Sequence, residues 1–256
     1  MSRMGETYEA LPDATGDEAH ALRAALAARD ELLAVVAHEL RAPLGAIVGW
    51  AHLLRDCANE QDFERGLEVI EQAAQVQARL IEDLLDMGRV SSGNLRLDRQ
   101  RVHPRDVVDA AVDAARPDAA SRHIALRSRF DVGVGPVLGD ATRLQQVVAN
   151  LLQNALKFTP ENGEVVVAVG HEGPHAVIRV CDNGPGIPAP LLAQVFEPWR
   201  QGFAAQGQGL GLGLAIARTL VQMHGGSIRA DSAGEGRGAC FTVRLPLALD
   251  GGDAQA

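Results

Sequence analysis

Cysteine is scarce: the 256 residues hold three, Cys57, Cys181 and Cys240. They are far apart and odd in number, which argues against both a disulfide framework and a zinc ligand set and fits a reducing cytoplasm. Cationic charge is also short. With 24 Lys and Arg against 33 Asp and Glu, a net charge of -9 and a pI near 5.4, the chain lacks the basic face that nucleic-acid binding needs, so DNA and RNA are set aside. No stretch approaches the roughly 18 to 20 unbroken apolar residues of a membrane span. The opening MSRMGETYEALPDATGDEAH lacks the apolar core of a signal peptide. Any sensing across a membrane is therefore expected to fall to a partner. There is no internal repeat.

What the chain does have is an apolar content of 46%, enough for a folded protein with a core, in a length suited to one large domain or two modest ones. Residues 1–16 and 250–256 read as disordered ends. From Asp17 to Cys57 the sequence is Ala- and Leu-rich, and Leu33, Val36, Leu40, Leu44, Ile47, Ala51 and Leu54 recur at gaps of three and four. After a polar break at 59–62, a second stripe runs through Phe63, Leu67, Ile70, Ala74, Ile81 and Leu84 until Gly88 and the SSGN at 91–94. Residues 17–92 are thus expected to form an antiparallel helical hairpin. A hairpin buries one side of each helix, so a second copy should complete a dimeric four-helix bundle.

Residues 95–249 change pattern. Strand-like runs at 124–130, 164–170, 176–182 and 239–247 alternate with helical runs RDVVDAAVDAA, ATRLQQVVANLLQNALKF and Gly213 to His224. This is the α+β class, a two-layer α/β sandwich with helices on one face of a sheet.

Within it, Asp140 is placed to cap a helix whose apolar stripe is Leu144, Val148, Leu151, Ala155 and Phe158. Asn150, Asn154 and Lys157 follow i, i+4, i+7 spacing, lining one edge with two amides and an ammonium. Alone, such an edge is more often a solvated flank. Two glycine-rich segments follow it. CDNGPGIP at a strand end reads either as a β-turn or as an acceptor, Asp182, above a loop whose Gly184 and Gly186 allow close approach to the backbone. GQGLGLGLAIARTL carries Gly207, Gly209, Gly211 and Gly213 into a helix N-terminus, an arrangement that favours phosphate.

Together these segments resemble those of the sensor histidine kinases, within the Bergerat-type ATP-binding superfamily that includes gyrase and MutL. HELRAPL resembles the phosphoacceptor box, NLLQNALKFT the asparagine box, DNGPGI and GLGLGLAI the two glycine boxes, and FEPW at 196–199 the phenylalanine motif. The resemblance covers about residues 20–248 and implies ATP and Mg²⁺ as ligands. By it, Asn154 should hold Mg²⁺, Asn150 and Lys157 should reach the phosphates, Phe158 should pack on adenine and Asp182 should accept from the adenine amino group. Gly184, Gly186, Gly209, Gly211 and Gly213 complete the expected ATP-binding set. Arg200 and Gln201, in the segment between the glycine boxes, are weaker candidates for phosphate contact.

His38 lies about 200° around its helix from Val36 and Leu40, so a stripe that packs the bundle turns the imidazole toward solvent. A neutral imidazole attacks through its one lone pair, and Glu39 beside it could accept the other proton or orient the ring, as the adjacent acid does in the resembling family. Pro43 has no N–H to return to the carbonyl of Glu39, so the helix is expected to bend or loosen near His38.

Two residues depart from relatives. The ATPases of the superfamily carry a water-activating glutamate where this chain has Asn150, and an amide is no general base. Where many kinase relatives have a threonine or asparagine four residues after the histidine, Ala42 offers no polar atom, so weak phosphatase activity is expected. The sequence reads as a cytoplasmic histidine kinase core that passes phosphoryl from ATP to His38 and on to the receiver domain of a response regulator. The rivals are an anti-sigma-type Ser/Thr kinase, a nucleotide-holding docking module and an ATPase machine.

Overall fold

A computed structural model describes residues 14–56, 59–199 and 210–248. The ends expected to be disordered lie outside these residues, apart from 14–16, which are already helical. The chain forms two compact units that part between Ala74 and Gln75, inside the second helix.

In the first unit, helix α1 (Ala14–Leu53) runs unbroken through Pro43, which is buried. A single 3-10 turn, Leu54–Asp56, ends it. Asn59 then caps helix α2 (Glu60–Ser91), its Oδ1 accepting the N–H of Asp62 at 2.7 Å. Gly66 sits where α2 folds back on the end of α1: a Cβ there would lie 2.6 Å from Leu54 Cδ2 and 3.0 Å from Trp50 Cε3. The apolar stripes are not covered within one chain. Leu33, Leu44, Leu53, Phe63 and Leu67 remain between 43% and 63% exposed.

The second unit begins with the C-terminal half of α2 and continues through strand β1 (Gln100–Val102), helix α3 (Pro104–Ser121), β2 (Ala125–Phe130), β3 (Val137–Gly139) and helix α4 (Ala141–Phe158). It ends with β4 (Glu164–Glu172), β5 (His175–Asp182), the short α5 (Ala189–Leu192), α6 (Gly213–Met223), β6 (Ser227–Asp231) and β7 (Cys240–Pro246). Five strands form one sheet in the order β2-β4-β5-β7-β6, with only β2 and β4 parallel, while β1 and β3 make a separate antiparallel pair. Period-two alternation sends Val165, Val167, Val169, Ile178, Val180, Phe241, Val243 and Leu245 to the face on which α3, α4 and α6 pack, and all of these are buried. The opposite face carries charge. There Glu172 pairs with Arg244 at 2.6 Å and with Arg179, and Arg127 pairs with Glu164 at 3.1 Å.

His224, buried just past α6, ties that helix to α4. Its Nε2 accepts the Asp140 N–H at 3.0 Å, and its Nδ1 donates to Leu220 O at 2.7 Å. Burial lowers its pKa, against the opposing Leu220 bond, so the ring is neutral and fixed in one tautomer.

The cysteine expectation is overturned. Cys181 on β5 stands directly opposite Cys240 on β7, with Cα atoms 4.0 Å apart, and the two form a disulfide. Separation along the chain carries no information about cross-strand register, and register alone brings this pair together. The cysteine count therefore gives no support to a reducing compartment.

Candidate active site

Helix α4 supplies the largest share of the site. Asp140 caps it through a 3.1 Å bond from the Arg143 N–H, as the sequence leads one to expect. Leu144, Val148, Leu151 and Ala155 are buried against the sheet, which leaves the adjoining edge free to face a cavity. That edge is longer than the sequence suggested. Arg143, Gln146, Asn150, Asn154 and Lys157 follow one another at gaps of three and four, one continuous polar line. At its C-terminal end the Arg122 guanidinium caps the helix, bonding Leu156 O and, at 3.3 Å, Lys157 O.

The cavity beside this edge has a volume of about 760 Å³, within the usual range for small-molecule sites. Asn150, Asn154, Lys157, Phe158, Asp182, Gly186, Gly211 and Gly213 all line it. Gly184 does not line it but lies just behind. His38 and Glu39 belong to the other compact unit, the imidazole exposed and the carboxylate half-buried. Gly209, Arg200 and Gln201 lie outside the described residues.

Asp182 ends β5 on the helix-bearing side of the sheet. Its Oδ1 accepts from the Gly184 N–H at 2.9 Å and the Ala239 N–H at 3.2 Å. Burial raises its pKa while these two donors lower it. One oxygen is thus committed to the backbone, and the carboxylate sits on the cavity wall as a hydrogen-bond acceptor.

The first glycine segment is shaped by the protein itself. A Cβ on Gly184 would meet Phe158 O at 2.9 Å, and one on Gly186, where φ is +75°, would meet Gly234 O at 2.1 Å. The partner is a third glycine segment, AGEGRG at 233–238, which sequence reasoning passed over although its alternate glycines were there to be seen. Gly236 N–H donates to Pro185 O at 2.6 Å and Gly238 N–H to Gly184 O at 3.1 Å. Ser232 Oγ accepts from Ile187 N–H at 3.0 Å.

At the second glycine segment, Asn150 Nδ2 donates to Gly213 O at 2.9 Å, tying the polar edge of α4 to the first turn of α6. Trp199 N–H donates to Gly211 O at 3.2 Å. Phe196 of the FEPW segment stands edge-on to Phe241, ring centres 6.2 Å apart. Ile187, Leu210 and Leu212 of the glycine segments supply apolar wall, joined by Leu191 and Phe241 from outside the motifs.

Asp83 of α2 also lines the cavity, and no local sequence signal marks it. Burial, with the neighbouring Asp86 charge, pushes its carboxyl up to about 6. One turn on, Asp86 is satisfied by Arg143 Nη1 and Gln146 Nε2, each at 2.7 Å. Two consecutive acids of α2 thus follow the polar line of α4, one on its docking half and one beside its cavity half.

Comparison with known proteins gives the family. The phosphoacceptor family, His Kinase A (phospho-acceptor) domain, matches residues 28–93, and the family described as histidine kinase-, DNA gyrase B- and HSP90-like ATPase matches residues 139–249. The chain is 35% identical over 241 residues to the sensor histidine kinase RcsC of Escherichia coli K12, covering 93% of this chain and 25% of the relative. It is 35% identical over 240 residues to the histidine protein kinase DivJ of Caulobacter vibrioides, covering 91% of this chain and 40% of the relative. It therefore spans well under half the length of these curated relatives. Among solved structures, full-length ShkA in complex with AMPPNP matches with a TM-score of 0.63 at 27% identity, over 87% of this chain and 47% of that one. The mycobacterial sensor histidine kinase MprB matches with a TM-score of 0.52 at 32% identity, over 57% of this chain and 97% of that one. With a phosphoacceptor region followed by an ATPase-type region on this fold, the chain belongs to the sensor histidine kinase family.

Proposed function

We propose that this chain autophosphorylates His38 from MgATP and passes the phosphoryl group to an aspartate on the receiver domain of a response regulator. The observation that carries the reading is the single cavity on which Asn150, Asn154, Lys157, Phe158 and Asp182 converge. Asp182 accepts the adenine amino group, Phe158 packs on the ring, and Lys157 and Asn150 face the phosphates. The donor set fits Mg²⁺ sparingly: Asn154 offers one neutral oxygen, and a magnesium ion held by phosphates and water asks for little more from the protein. The ion would neutralise charge on the transferring phosphoryl group.

At the acceptor, the exposed His38 imidazole presents one nitrogen to phosphorus while Glu39 takes or orients the proton on the other. Ala42, exposed four residues on, has no polar atom to hold water against a phosphorylated regulator, so the chain is a poor phosphatase. Asn150 cannot activate water and its amide is engaged by Gly213 O, which favours holding ATP over hydrolysing it. The uncovered Leu33, Leu44, Leu53, Phe63 and Leu67 favour a homodimer through the helical hairpin. No helix among the described residues is long and apolar enough to cross a membrane, and ATP as the phosphoryl donor favours the cytoplasm as the place of action.

The test is incubation with labelled MgATP. Acid-labile label on the wild type, absent from His38→Gln, is expected. Acid-stable label would indicate a Ser/Thr kinase, nucleotide binding without label a docking module, and steady phosphate release independent of His38 an ATPase.

A further inference from the structure

The disulfide lies directly behind the nucleotide cavity. Side chains alternate across a strand, so Cys181 and Cys240 point to the charged face of the sheet while their neighbours Asp182, Ala239 and Phe241 point to the cavity, which all three line. The backbone bond from Asp182 N–H to Ala239 O, 2.9 Å, closes the β5–β7 ladder immediately beside the bridge. Ladder ends fray most readily. Here the fraying end is also the one that holds the adenine-side acceptor, through the Ala239 N–H on Asp182 Oδ1.

Both cysteines are half-buried on the face away from the cavity, where small molecules in solution can reach them without displacing nucleotide. Cytosolic disulfides are characteristically transient, catalytic or redox-sensing, because the thiol pool works against permanent ones.

We propose that Cys181 and Cys240 form a thiol–disulfide exchange site for low-molecular-weight thiols, whose oxidised form clamps the Asp182 end of the sheet and strengthens nucleotide binding. An external thiolate attacks one sulfur of the bridge and the other leaves as a thiolate, which takes a proton. A second external thiol resolves the mixed disulfide. Two external thiols thereby give up two electrons and two protons to the pair and depart joined as a disulfide, and the reverse exchange with an external disulfide closes the bridge. The proposal rests on the reading of the cavity as a nucleotide site.

The experiment uses the full chain with Cys57→Ser, so that thiol counting reads this pair alone, poised with glutathione or with glutathione disulfide. Alkylation and mass measurement count the thiols, calorimetry gives the affinity for AMPPNP, and hydrogen exchange follows the peptides that contain Asp182 and Ala239. The oxidised protein is expected to bind about fivefold more tightly, the effect of one weakened hydrogen bond on reduction, and to exchange more slowly at those two peptides. The double variant Cys181→Ala, Cys240→Ala should bind like the reduced protein and ignore the glutathione ratio. Free thiols persisting in glutathione disulfide, or an affinity equal or higher after reduction, would overturn the proposal. Binding in neither redox state would instead overturn the nucleotide reading.

Discussion

Asp86 of α2 and Arg143 of α4 meet at 2.7 Å with the carboxylate side chain only 7% exposed. A buried charge is costly once its partner is gone, and here Gln146 would remain as a neutral donor while Arg89 stands off at 3.6 Å. Arg143→Ala should cost roughly 2–4 kcal/mol in urea unfolding. Arg143→Lys should recover part of that, and Asp86→Asn should cost less than Arg143→Ala because the guanidinium it leaves unpaired is 21% exposed and better hydrated than the carboxylate. Equal stability of Arg143→Ala and wild type would show that the pair contributes nothing.

Asp83 makes stability depend on pH. Its folded pKa is about 6 against an ordinary 3.8, so the fold holds its proton more tightly than the unfolded chain does. The associated stability is full below the ordinary value and is lost as pH rises through about 6. Asp83→Asn should therefore stabilise the protein at neutral pH by about 1–3 kcal/mol, with the gain shrinking to nothing in acid. Chemical unfolding of both proteins across this range checks it, and a gain independent of pH would contradict the burial argument.

The bond from Asn150 Nδ2 to Gly213 O sets what can occupy that position. A carboxylate cannot donate, and it would face the carbonyl with like partial charge. Asn150→Asp should weaken nucleotide binding by about tenfold, the scale of one lost bond plus an unsatisfied acceptor. Fluorescent-nucleotide titration reads the loss, and wild-type affinity in the variant would show the tie to be dispensable.

The residues that were legible in the sequence are those whose chemistry and spacing are local. Asn150, Asn154 and Lys157 announce an edge because one helix carries all three, and Asp140 announces a cap because it immediately precedes that helix. The strands β4, β5 and β7 show as apolar runs because one face of each is buried. Strand β6 was missed: its exposed residues outnumber its half-buried ones and it lies at the sheet edge, so no apolar run marks it. Contacts made by register or by docking leave no local trace. Cys181 and Cys240 are separated by 59 residues and meet only because β5 and β7 pair as they do. Asp83 and Phe241 line the cavity from elements whose own patterns say nothing of it. The roles given to Gly184 and Gly186 illustrate a subtler gap. The sequence offered either a β-turn or a loop open to a ligand, and the fold shows that the carbonyls of Phe158 and Gly234 are what approach these glycines.

Gly238 ties that backbone packing to the proposed nucleotide site. Its φ is +69°, and a Cβ there would lie 2.0 Å from Asp182 O, a backbone atom that no rotamer change can move. Alanine therefore meets two penalties, a left-handed conformation costing roughly 1–2 kcal/mol and a clash relieved only by shifting the end of β5. Because Asp182 rides on that end, Gly238→Ala should lower nucleotide affinity by at least about tenfold, beyond the loss expected from weakening one bond to the acceptor. Glycine-to-alanine at Gly45, where a Cβ meets nothing within 4 Å, is the matched control on an unrelated helix. If Gly238→Ala were to unfold more easily yet bind nucleotide like the wild type, Asp182 would be held by something other than this packing, and its proposed role as the adenine acceptor would lose its structural support.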